Sequence, residues 1–286
     1  MASHERLKGV IVPVITPFLN EKLDEVGLEN VIKHLIAEGV HGIFVLGTTG
    51  EFQFMSDNDK KRVIDLAGSF NGRGVRIFAG TTGDSLQNTI ELSQYAEQKD
   101  VDAVVIAPRY KSYILPAEYV IDVMKKTQGS IVLYNNPQIT NSMHIDASHA
   151  ALLLEDLKLR KRLIGLKDSS RNQITIATLI YVRDYIANWF SILQGSESAI
   201  IENPYSKVDG FVPGSANFDT KLFLSLYDGL IVKGRGMRQE LETLERYALV
   251  YRNSGNPLQE IKQRVYEKSL IRSSELAPNN IVVSQK

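Results

Sequence analysis

The sequence contains no cysteine among its 286 residues. This absence excludes disulfide bonds, thiolate nucleophiles, iron–sulfur clusters and zinc sites built from thiolates. A surplus of charge of either sign is also missing, because 33 lysine and arginine residues balance 33 aspartate and glutamate residues. Nucleic-acid and membrane-surface proteins generally carry a basic surplus, so we expect neither a nucleic-acid nor a membrane partner.

Long apolar runs are absent as well. No stretch approaches the roughly 18 apolar residues that a membrane-spanning helix needs. The first residues are polar and of mixed charge, without the basic cluster and apolar stretch of a signal peptide. We therefore expect a cytoplasmic protein, and its 43% hydrophobic residues are sufficient for a large buried core.

Short apolar segments alternate with longer amphipathic segments along most of the chain. Eight short segments are apolar on both faces, as are strands of a parallel sheet covered by helices. They span residues 10–15, 42–46, 75–79, 103–106, 131–134, 163–166, 190–193 and 210–212. The predicted helices between them span residues 25–38, 57–69, 85–98, 117–127, 146–155, 171–189 and 219–232. Ser56, Asp84 and Asp146 are the predicted N-caps of three of these helices.

Strict alternation of eight strands with helices predicts an α/β protein of the (β/α)₈ TIM-barrel class. An open, doubly wound sheet is the main alternative, but eight units within about 230 residues favour closure. No glycine-rich dinucleotide turn follows the first strand. After residue 232 the pattern is only helical, at 238–253 and 258–272. We predict a catalytic barrel at residues 1–232 and a C-terminal helical extension at 233–286.

Lys167 stands at the end of a predicted strand, and residues at such ends form the active site of a TIM barrel. It follows the apolar segment 163–166, so its stem is expected inside the rim. Burial lowers the pKa of a lysine, and a neutral amine can form a Schiff base with a carbonyl group. A structural role fits equally well: Lys167 could pair with Asp168 or extend to solvent.

Hydroxyl groups and glycines follow several other strands. Tyr134 ends the fifth strand, where a phenol can relay protons or simply complete the rim. Thr48 and Thr49 precede a predicted helix and can bind a carboxylate there, although ordinary turn formation also explains them. The Gly-Ser pairs at 195–196 and 214–215 can hold a phosphate or the hydroxyl groups of a sugar-like chain.

Metal-binding patterns are missing. His144 and His149 lie five residues apart and would face different directions on a helix, so they form a poor metal pair. Neither the His-Glu-x-x-His pattern nor a nucleophile elbow occurs. We therefore expect no metal site.

The segments at the strand ends resemble, in order, those of the pyruvate-dependent class I aldolase superfamily. They are Val-Pro-Val-Ile-Thr-Pro-Phe at 12–18, Gly-Thr-Thr-Gly-Glu at 47–51, Tyr-Asn-Asn-Pro at 134–137, Gly-Leu-Lys-Asp-Ser at 165–169, and the segment 210–217. N-acetylneuraminate lyase and dihydrodipicolinate synthase typify this superfamily, which includes 2-keto-3-deoxygluconate aldolases. The resemblance covers the whole predicted barrel. It implies a lyase without metal or organic cofactor, assembled as a homotetramer in the form of a dimer of dimers.

The resemblance also implies roles for individual residues. Lys167 would form a Schiff base with pyruvate, and Tyr134 would relay protons. Thr48 and Thr49 would bind the pyruvate carboxylate. Tyr110 corresponds to a tyrosine that, in some members, reaches the neighbouring subunit's site and extends the relay. The candidate substrate-binding residues are Gly47, Thr48, Thr49, Ser169, Gly195, Ser196, Gly214 and Ser215.

Two positions depart from the superfamily pattern. Ile139 stands where dihydrodipicolinate synthases carry an arginine that binds a second substrate carboxylate, which argues against that activity. Arg109 replaces the usual aromatic or apolar residue before Tyr110, and either a site role or a subunit contact is compatible with it.

The remaining polar residues at the strand ends carry hydroxyl or amide groups, which favours a neutral polyhydroxy aldehyde as partner. They include Thr81, Thr82, Ser169, Ser196, Ser215 and Asn217. We predict an aldolase that reversibly cleaves a 2-keto-3-deoxygluconate-type sugar acid to pyruvate and an aldehyde such as glyceraldehyde. The alternatives within the superfamily are an N-acetylneuraminate lyase, a keto-sugar-acid dehydratase and a dihydrodipicolinate synthase. A non-catalytic, keto-acid-binding barrel is the alternative outside it.

Overall fold

Eight parallel strands close into a barrel in the computed structural model, which describes residues 6–108, 116–140, 144–155, 159–278 and 280. The strands are β1 (Gly9–Pro13), β2 (Gly42–Val45), β3 (Arg76–Gly80), β4 (Ala103–Ile106), β5 (Ile131–Asn135), β6 (Leu163–Asp168), β7 (Ser191–Gln194) and β8 (Gly210–Phe211). Each strand pairs with its neighbours in the chain, and β8 pairs with β1 to complete the closure. The predicted TIM barrel with additional C-terminal helices is confirmed.

Helices cover the outside of the barrel. They are α1 (Glu25–Ala37), α2 (Asp57–Gly68), α3 (Leu86–Glu97), α4 (Pro116–Lys126), α5 (Ala147–Glu155), α6 (Gln173–Tyr185), α7 (Glu197–Glu202), α8 (Thr220–Leu226), α9 (Arg238–Ser254) and α10 (Pro257–Glu267). The short helix α7 was not predicted, because its six residues are too few to show a helical period. Within the described part of the chain, no helix has the length and apolar character to cross a bilayer.

The predicted N-caps are correct at two positions and wrong at one. Ser56 accepts a hydrogen bond from the backbone N–H of Asp59, and Asp146 accepts them from Ser148 and His149. The cap of α3 is Ser85 rather than Asp84. Ser85 has the extended backbone of a cap residue, and its hydroxyl group accepts from the backbone N–H of Asn88, the third residue of the helix.

The barrel interior is apolar below its C-terminal rim. Side chains that face the barrel axis form one buried cluster, which includes Ile11, Phe44, Phe78, Val105, Val132, Tyr134 and Leu193. The larger core cluster packs the outer strand faces against the helices. Leu244 of α9 and Ile261 of α10 belong to this larger cluster, so the C-terminal helices share the barrel's core. The division at residue 232 stays a prediction.

Candidate active site

A pocket of about 520 Å³ opens at the C-terminal ends of the strands. The residues that follow β2, β5, β6, β7 and β8 line it together with residues of α9 and α10. Its lining includes Thr48, Tyr134, Asn136, Ser169, Arg171, Gly195, Ser196, Glu197, Gly214, Tyr251, Arg252 and Ile261. A second hollow of about 680 Å³ lies at the opposite end of the barrel and contains none of the predicted site residues.

Lys167 is buried beside Tyr134. The two residues are register partners on β6 and β5, and each is only 4% exposed. The Nζ atom of Lys167 lies 4.2 Å from the centre of the Tyr134 ring and 5.0 Å from that of Phe44. Burial lowers the pKa of Lys167, although the phenol of Tyr134 partly opposes this shift. The amine is therefore accessible in its neutral, nucleophilic form at a lower pH than a lysine in water.

Asp168 does not pair with Lys167. Successive residues of a strand face opposite sides, and the Asp168 carboxylate accepts hydrogen bonds from Asn135 Nδ2 at 2.6 Å and from Ser170 Oγ at 3.0 Å. Within the described residues Lys167 forms no salt bridge, and its burial excludes extension into solvent. Both structural roles left open for Lys167 by the sequence are therefore absent from the structure.

The Tyr134 hydroxyl group connects the turn after β2 with β5. Its oxygen lies 2.9 Å from Thr48 Oγ1 and accepts a hydrogen bond from Asn136 Nδ2, also at 2.9 Å. Burial raises the pKa of Tyr134. The charge of Lys167 and the hydrogen bonds from Thr48, Asn136 and Ser169 together lower this pKa by more than burial raises it, so the net shift is downward. The phenol is thus placed and tuned to exchange protons beside the amine.

Gly195 follows β7 and lies directly against Lys167. A methyl group at this position would stand 2.7 Å from Lys167 Cε and 2.4 Å from Ser169 Oγ. The missing side chain therefore provides the room in which the lysine lies. Ser196, the next residue, also lines the pocket, with its hydroxyl oxygen 3.0 Å from that of Ser198.

Ser215 is fully buried and holds Glu197 in place. Its backbone N–H and hydroxyl group donate to the Glu197 carboxylate at 2.7 and 2.8 Å, and its hydroxyl also contacts that of Tyr251. Burial raises the pKa of Glu197, despite hydrogen bonds from Ser215 and Gly214 that lower it. Ser215 thus holds the Glu197 carboxyl group at the pocket surface.

The residues of the turn after β2 face two regions, the pocket and the C-terminal helices. Gly47 packs on the Phe44 ring, and the Thr49 hydroxyl lies 3.7 Å from the space that a side chain at Gly214 would occupy. Thr48 is the residue of this turn that lines the pocket and contacts Tyr134.

Glu51, at the end of the same turn, points away from the pocket. Its carboxylate is completely buried and forms an ion pair with Lys262 of α10. It also accepts hydrogen bonds from Ala277 N at 2.7 Å and Asn280 Nδ2 at 2.8 Å. Glu51 therefore anchors the C-terminal segment to this turn.

Three polar residues at the strand ends do not reach the pocket. The Thr81 hydroxyl lies 2.8 Å from that of Ser93, and the Thr82 hydroxyl accepts from the backbone N–H of Ala107. Asn217 links the end of β1 to the segment after β8 through hydrogen bonds to backbone groups. These polar groups are already satisfied within the protein, so the hydroxyl-rich surface of the pocket is smaller than predicted.

Tyr110 and Arg109 lie outside the described residues. Ile139 is half-buried and packs against the core, so an apolar side chain occupies the position that carries an arginine in dihydrodipicolinate synthases. In the part of the chain that the structure describes, no group of three or more histidine, aspartate or glutamate side chains is placed to hold a metal ion.

Arg171 is a pocket residue that the sequence analysis missed. It follows β6 and adopts φ of +61°, a conformation uncommon for residues other than glycine. Its position four residues after Lys167 is the signal that could have found it. Arg252 comes from α9, whose placement the sequence does not reveal. Among the described residues neither guanidinium group forms a salt bridge, so both positive charges remain available at the pocket.

Comparison with known proteins agrees with this geometry. The sequence profile of the Dihydrodipicolinate synthetase family matches residues 6–252. The protein named "Putative 2-dehydro-3-deoxy-D-gluconate aldolase YagE" of Escherichia coli (strain K12) is 30% identical over 241 residues, or 82% of this chain and 78% of YagE. The 4-hydroxy-tetrahydrodipicolinate synthase of Campylobacter hominis is 28% identical over 277 residues, or 94% of this chain and 89% of the synthase.

Solved structures show the same similarity in three dimensions. The crystal structure of YagE in complex with pyruvate has a TM-score of 0.83 at 25% identity, covering 95% of this chain and 92% of YagE. The structure of KD(P)GA from T. tenax has a TM-score of 0.76 at 25% identity, covering 90% and 87%. The similar proteins thus include both aldolases and synthases of one pyruvate aldolase superfamily. The chain is a carbon–carbon lyase and belongs to the Dihydrodipicolinate synthetase family.

Proposed function

We propose that this protein is a Schiff-base-forming aldolase that reversibly cleaves a 2-keto-3-deoxy sugar acid of the 2-keto-3-deoxygluconate type. The products would be pyruvate and an aldehyde such as glyceraldehyde. The observation that carries the proposal is the buried Lys167 amine, which lies 4.2 Å from the Tyr134 ring and pairs with no carboxylate in the described residues. Similarity to YagE, which binds pyruvate in its crystal structure, supports pyruvate as one product.

The reaction begins at the C2 ketone of the substrate. The neutral Lys167 amine attacks this carbon and forms a carbinolamine. Tyr134 then donates a proton to the departing hydroxyl group, which leaves as water, and an iminium ion remains. Thr48 holds the C1 carboxylate with its hydroxyl group, and the backbone N–H group of the adjacent Thr49 assists it.

Cleavage follows because the iminium ion accepts electrons. Tyr134, now a phenolate, or the substrate's own carboxylate removes the proton of the C4 hydroxyl group. The C3–C4 bond breaks, the aldehyde departs, and the electron pair of that bond forms the C2–C3 enamine. Protonation of C3 and hydrolysis then release pyruvate and restore the Lys167 amine. The lowered pKa of Tyr134 suits this step, since a base must spend part of its time deprotonated.

The wider part of the pocket would hold the rest of the sugar chain. Ser169, Ser196 and Glu197 line it and can form hydrogen bonds with sugar hydroxyl groups. The guanidinium groups of Arg171 and Arg252, which form no salt bridge with any described residue, favour a second candidate substrate, the 6-phosphate of the same sugar acid. Ile139 offers no cation for a second carboxylate near the reacting carbons, which argues against dihydrodipicolinate synthase activity.

A substrate panel tests the proposal. Pyruvate release is measured with 2-keto-3-deoxygluconate, its galactonate epimer, the 6-phosphate and N-acetylneuraminate. We expect release from the deoxy sugar acids and none from N-acetylneuraminate. Release from N-acetylneuraminate alone would instead assign a sialic acid lyase. A new keto acid without an aldehyde would assign a dehydratase.

Borohydride reduction tests the role of Lys167 directly. Reduction in the presence of pyruvate should attach it covalently at Lys167, as detected by peptide mass spectrometry. Lys167→Ala should abolish both the adduct and turnover, whereas Tyr134→Phe should slow turnover and still form some adduct. Lys161→Ala, at an exposed lysine just before β6, is the matched control and should behave as wild type. Full activity in Lys167→Ala would refute the mechanism, and a wild-type protein that forms no adduct would favour the non-catalytic binding barrel.

The assembly state is part of the same proposal. We infer a homotetramer built as a dimer of dimers, as the superfamily resemblance implies. Light scattering of the purified protein at several concentrations measures the assembly directly. A stable monomer with full aldolase activity would show that the site is complete within one chain.

A further inference from the structure

Asn136 places its carboxamide group beside the phenol of Tyr134. It is the first residue after β5, and its Nδ2 atom lies 2.9 Å from Tyr134 Oη. Both side chains are buried, with exposures of 7% and 4%. At such burial a hydrogen bond to the phenol is shielded from competing water, so its effect on proton transfer is large.

The backbone around Asn136 determines which end of the carboxamide meets the phenol. The backbone N–H of Gln138 lies 3.2 Å from Asn136 Oδ1 and can only donate, so an oxygen must occupy that position. The nitrogen is therefore directed at Tyr134, and an amide nitrogen also can only donate. The backbone carbonyl oxygen of Asn136 accepts hydrogen bonds from Ile139 N and Thr140 Oγ1, and these bonds fix the main chain at Asn136.

A hydrogen bond of this polarity favours one form of the phenol. An oxygen that accepts an N–H bond is stabilised more strongly as a phenolate than as a neutral hydroxyl group. Thr48 can donate or accept, so it suits both forms of Tyr134, whereas Asn136 favours the deprotonated form. Thr48 therefore orients the Tyr134 hydroxyl group, and Asn136 shifts its protonation equilibrium toward the phenolate.

We propose that Asn136 is a positioning residue that holds Tyr134 in the form that accepts a proton from the substrate. The inference rests on the proposed aldolase function, since it concerns the base of that reaction. It assigns Asn136 no contact with the reacting atoms, and the amine that forms the Schiff base remains that of Lys167.

The neighbouring Asn135 provides a natural contrast. Its side chain faces the opposite side of β5, where Nδ2 donates to Asp168 at 2.6 Å and Oδ1 accepts from Ile145 N at 2.9 Å. One end of this carboxamide binds the end of β6, the other binds the loop after β5, and neither donates to or accepts from Tyr134. Asn135 is therefore the matched control for a buried asparagine whose role is only structural.

The test compares pH profiles of kcat for the sugar-acid substrate that the panel identifies. Asn136→Leu removes the donor and keeps a similar volume, and Asn136→Asp replaces the donor with an isosteric acceptor. We expect the acidic limb of the profile to move to higher pH in both variants, further in Asn136→Asp. On that limb kcat should fall about tenfold or more, because losing a hydrogen bond to a charged group shifts the proton equilibrium by about one pKa unit or more. At high pH, kcat should approach the wild-type value.

Three controls separate this role from a structural one. Borohydride adduct formation with pyruvate should survive in both Asn136 variants, since Lys167 is unaltered. Asn135→Leu should lower the unfolding temperature without moving the acidic limb. In a Tyr134→Phe background, Asn136→Leu should cause no further change in the profile.

A direct titration does not depend on activity. The difference in phenolate absorbance between wild type and Tyr134→Phe follows the ionisation of Tyr134 alone, and Asn136→Leu should move this ionisation to higher pH. An unmoved acidic limb and an unmoved titration would overturn the inference while leaving the aldolase proposal intact. An equal movement of the limb in Asn135→Leu would also overturn it. A wild-type protein without an adduct would overturn the aldolase proposal, and the inference with it.

Discussion

The missing side chain at Gly195 leaves the space in which Lys167 lies, and this space can be tested by filling it. In Gly195→Ala the new methyl group would stand 2.7 Å from Lys167 Cε, 2.4 Å from Ser169 Oγ and 3.0 Å from the carbonyl oxygen of Asp168. The Asp168 oxygen belongs to the backbone of β6 and cannot move aside. The Lys167 side chain must therefore shift, and the nucleophilic nitrogen shifts with it.

We expect Gly195→Ala to slow Schiff-base formation much more than it destabilises the fold. Overpacking of a core by a methyl group costs about 1–3 kcal/mol, against a typical stability on the order of 5–15 kcal/mol. The variant should therefore remain folded. A misplacement of about 1 Å at a reacting atom can lower a rate by about 100-fold. The time course of pyruvate trapping with borohydride measures the rate, and urea unfolding measures the stability.

Gly236→Ala is the matched control. Gly236 is exposed, and the nearest atom to a methyl group there would be the Tyr205 hydroxyl oxygen at 3.5 Å, an ordinary contact distance. We expect this variant to trap pyruvate at the wild-type rate. A wild-type trapping rate in folded Gly195→Ala would refute the reasoning, because the amine could not then lie where the structure places it.

The other predictions concern charge. The rate of pyruvate trapping should rise with pH and then level off, because only the neutral Lys167 amine attacks. Since burial lowers the pKa of Lys167, this rise should occur at a lower pH than for an exposed lysine. A rise at the pKa of an exposed lysine would contradict this prediction. Lys262→Met should lower the free energy of unfolding by about 3–5 kcal/mol, since it leaves the Glu51 charge buried without its partner. Adding Glu51→Gln should recover part of this loss in urea titrations, and no recovery would show that packing dominates. Arg171→Ala should lower kcat/KM about tenfold for the 6-phosphate and leave the unphosphorylated acid unaffected; equal losses on both would exclude phosphate binding.

The barrel could be predicted because its strands are short, apolar on both faces and followed by helical periods. The ends of the strands were harder to place. β6 extends to Asp168, two residues beyond the predicted end at 166, because the hydrogen-bonded ladder continues after the apolar pattern has stopped. This extension is what pairs Lys167 with Tyr134 in register, so the polar end of β6 matters most for the site.

Side-chain direction in the loops could not be predicted. Asn135 and Asn136 are identical neighbours, yet one stabilises the loop and the other contacts the Tyr134 phenol. Likewise Ser215 supports Glu197 from behind, although a Gly-Ser pair after β8 suggested a group that faces the substrate. The direction of each side chain depends on loop dihedral angles and on partners distant in the chain, and neither produces a periodic pattern.

The C-terminal helices complete the pocket and are coupled to the turn that carries Thr48. Lys262 of α10 pairs with Glu51 at the end of that turn, and its Nζ atom also donates to the Glu275 carbonyl oxygen at 2.7 Å. Separating α10 from the turn would break this completely buried ion pair and expose the apolar side chain of Ile261, which is disfavoured. Tyr251 of α9 and Ile261 of α10 line the pocket, so the ion pair that docks α10 also holds this part of the pocket lining in place. The helical region after residue 232 is therefore part of the site, although no residue with an obvious chemical role marks it in the sequence.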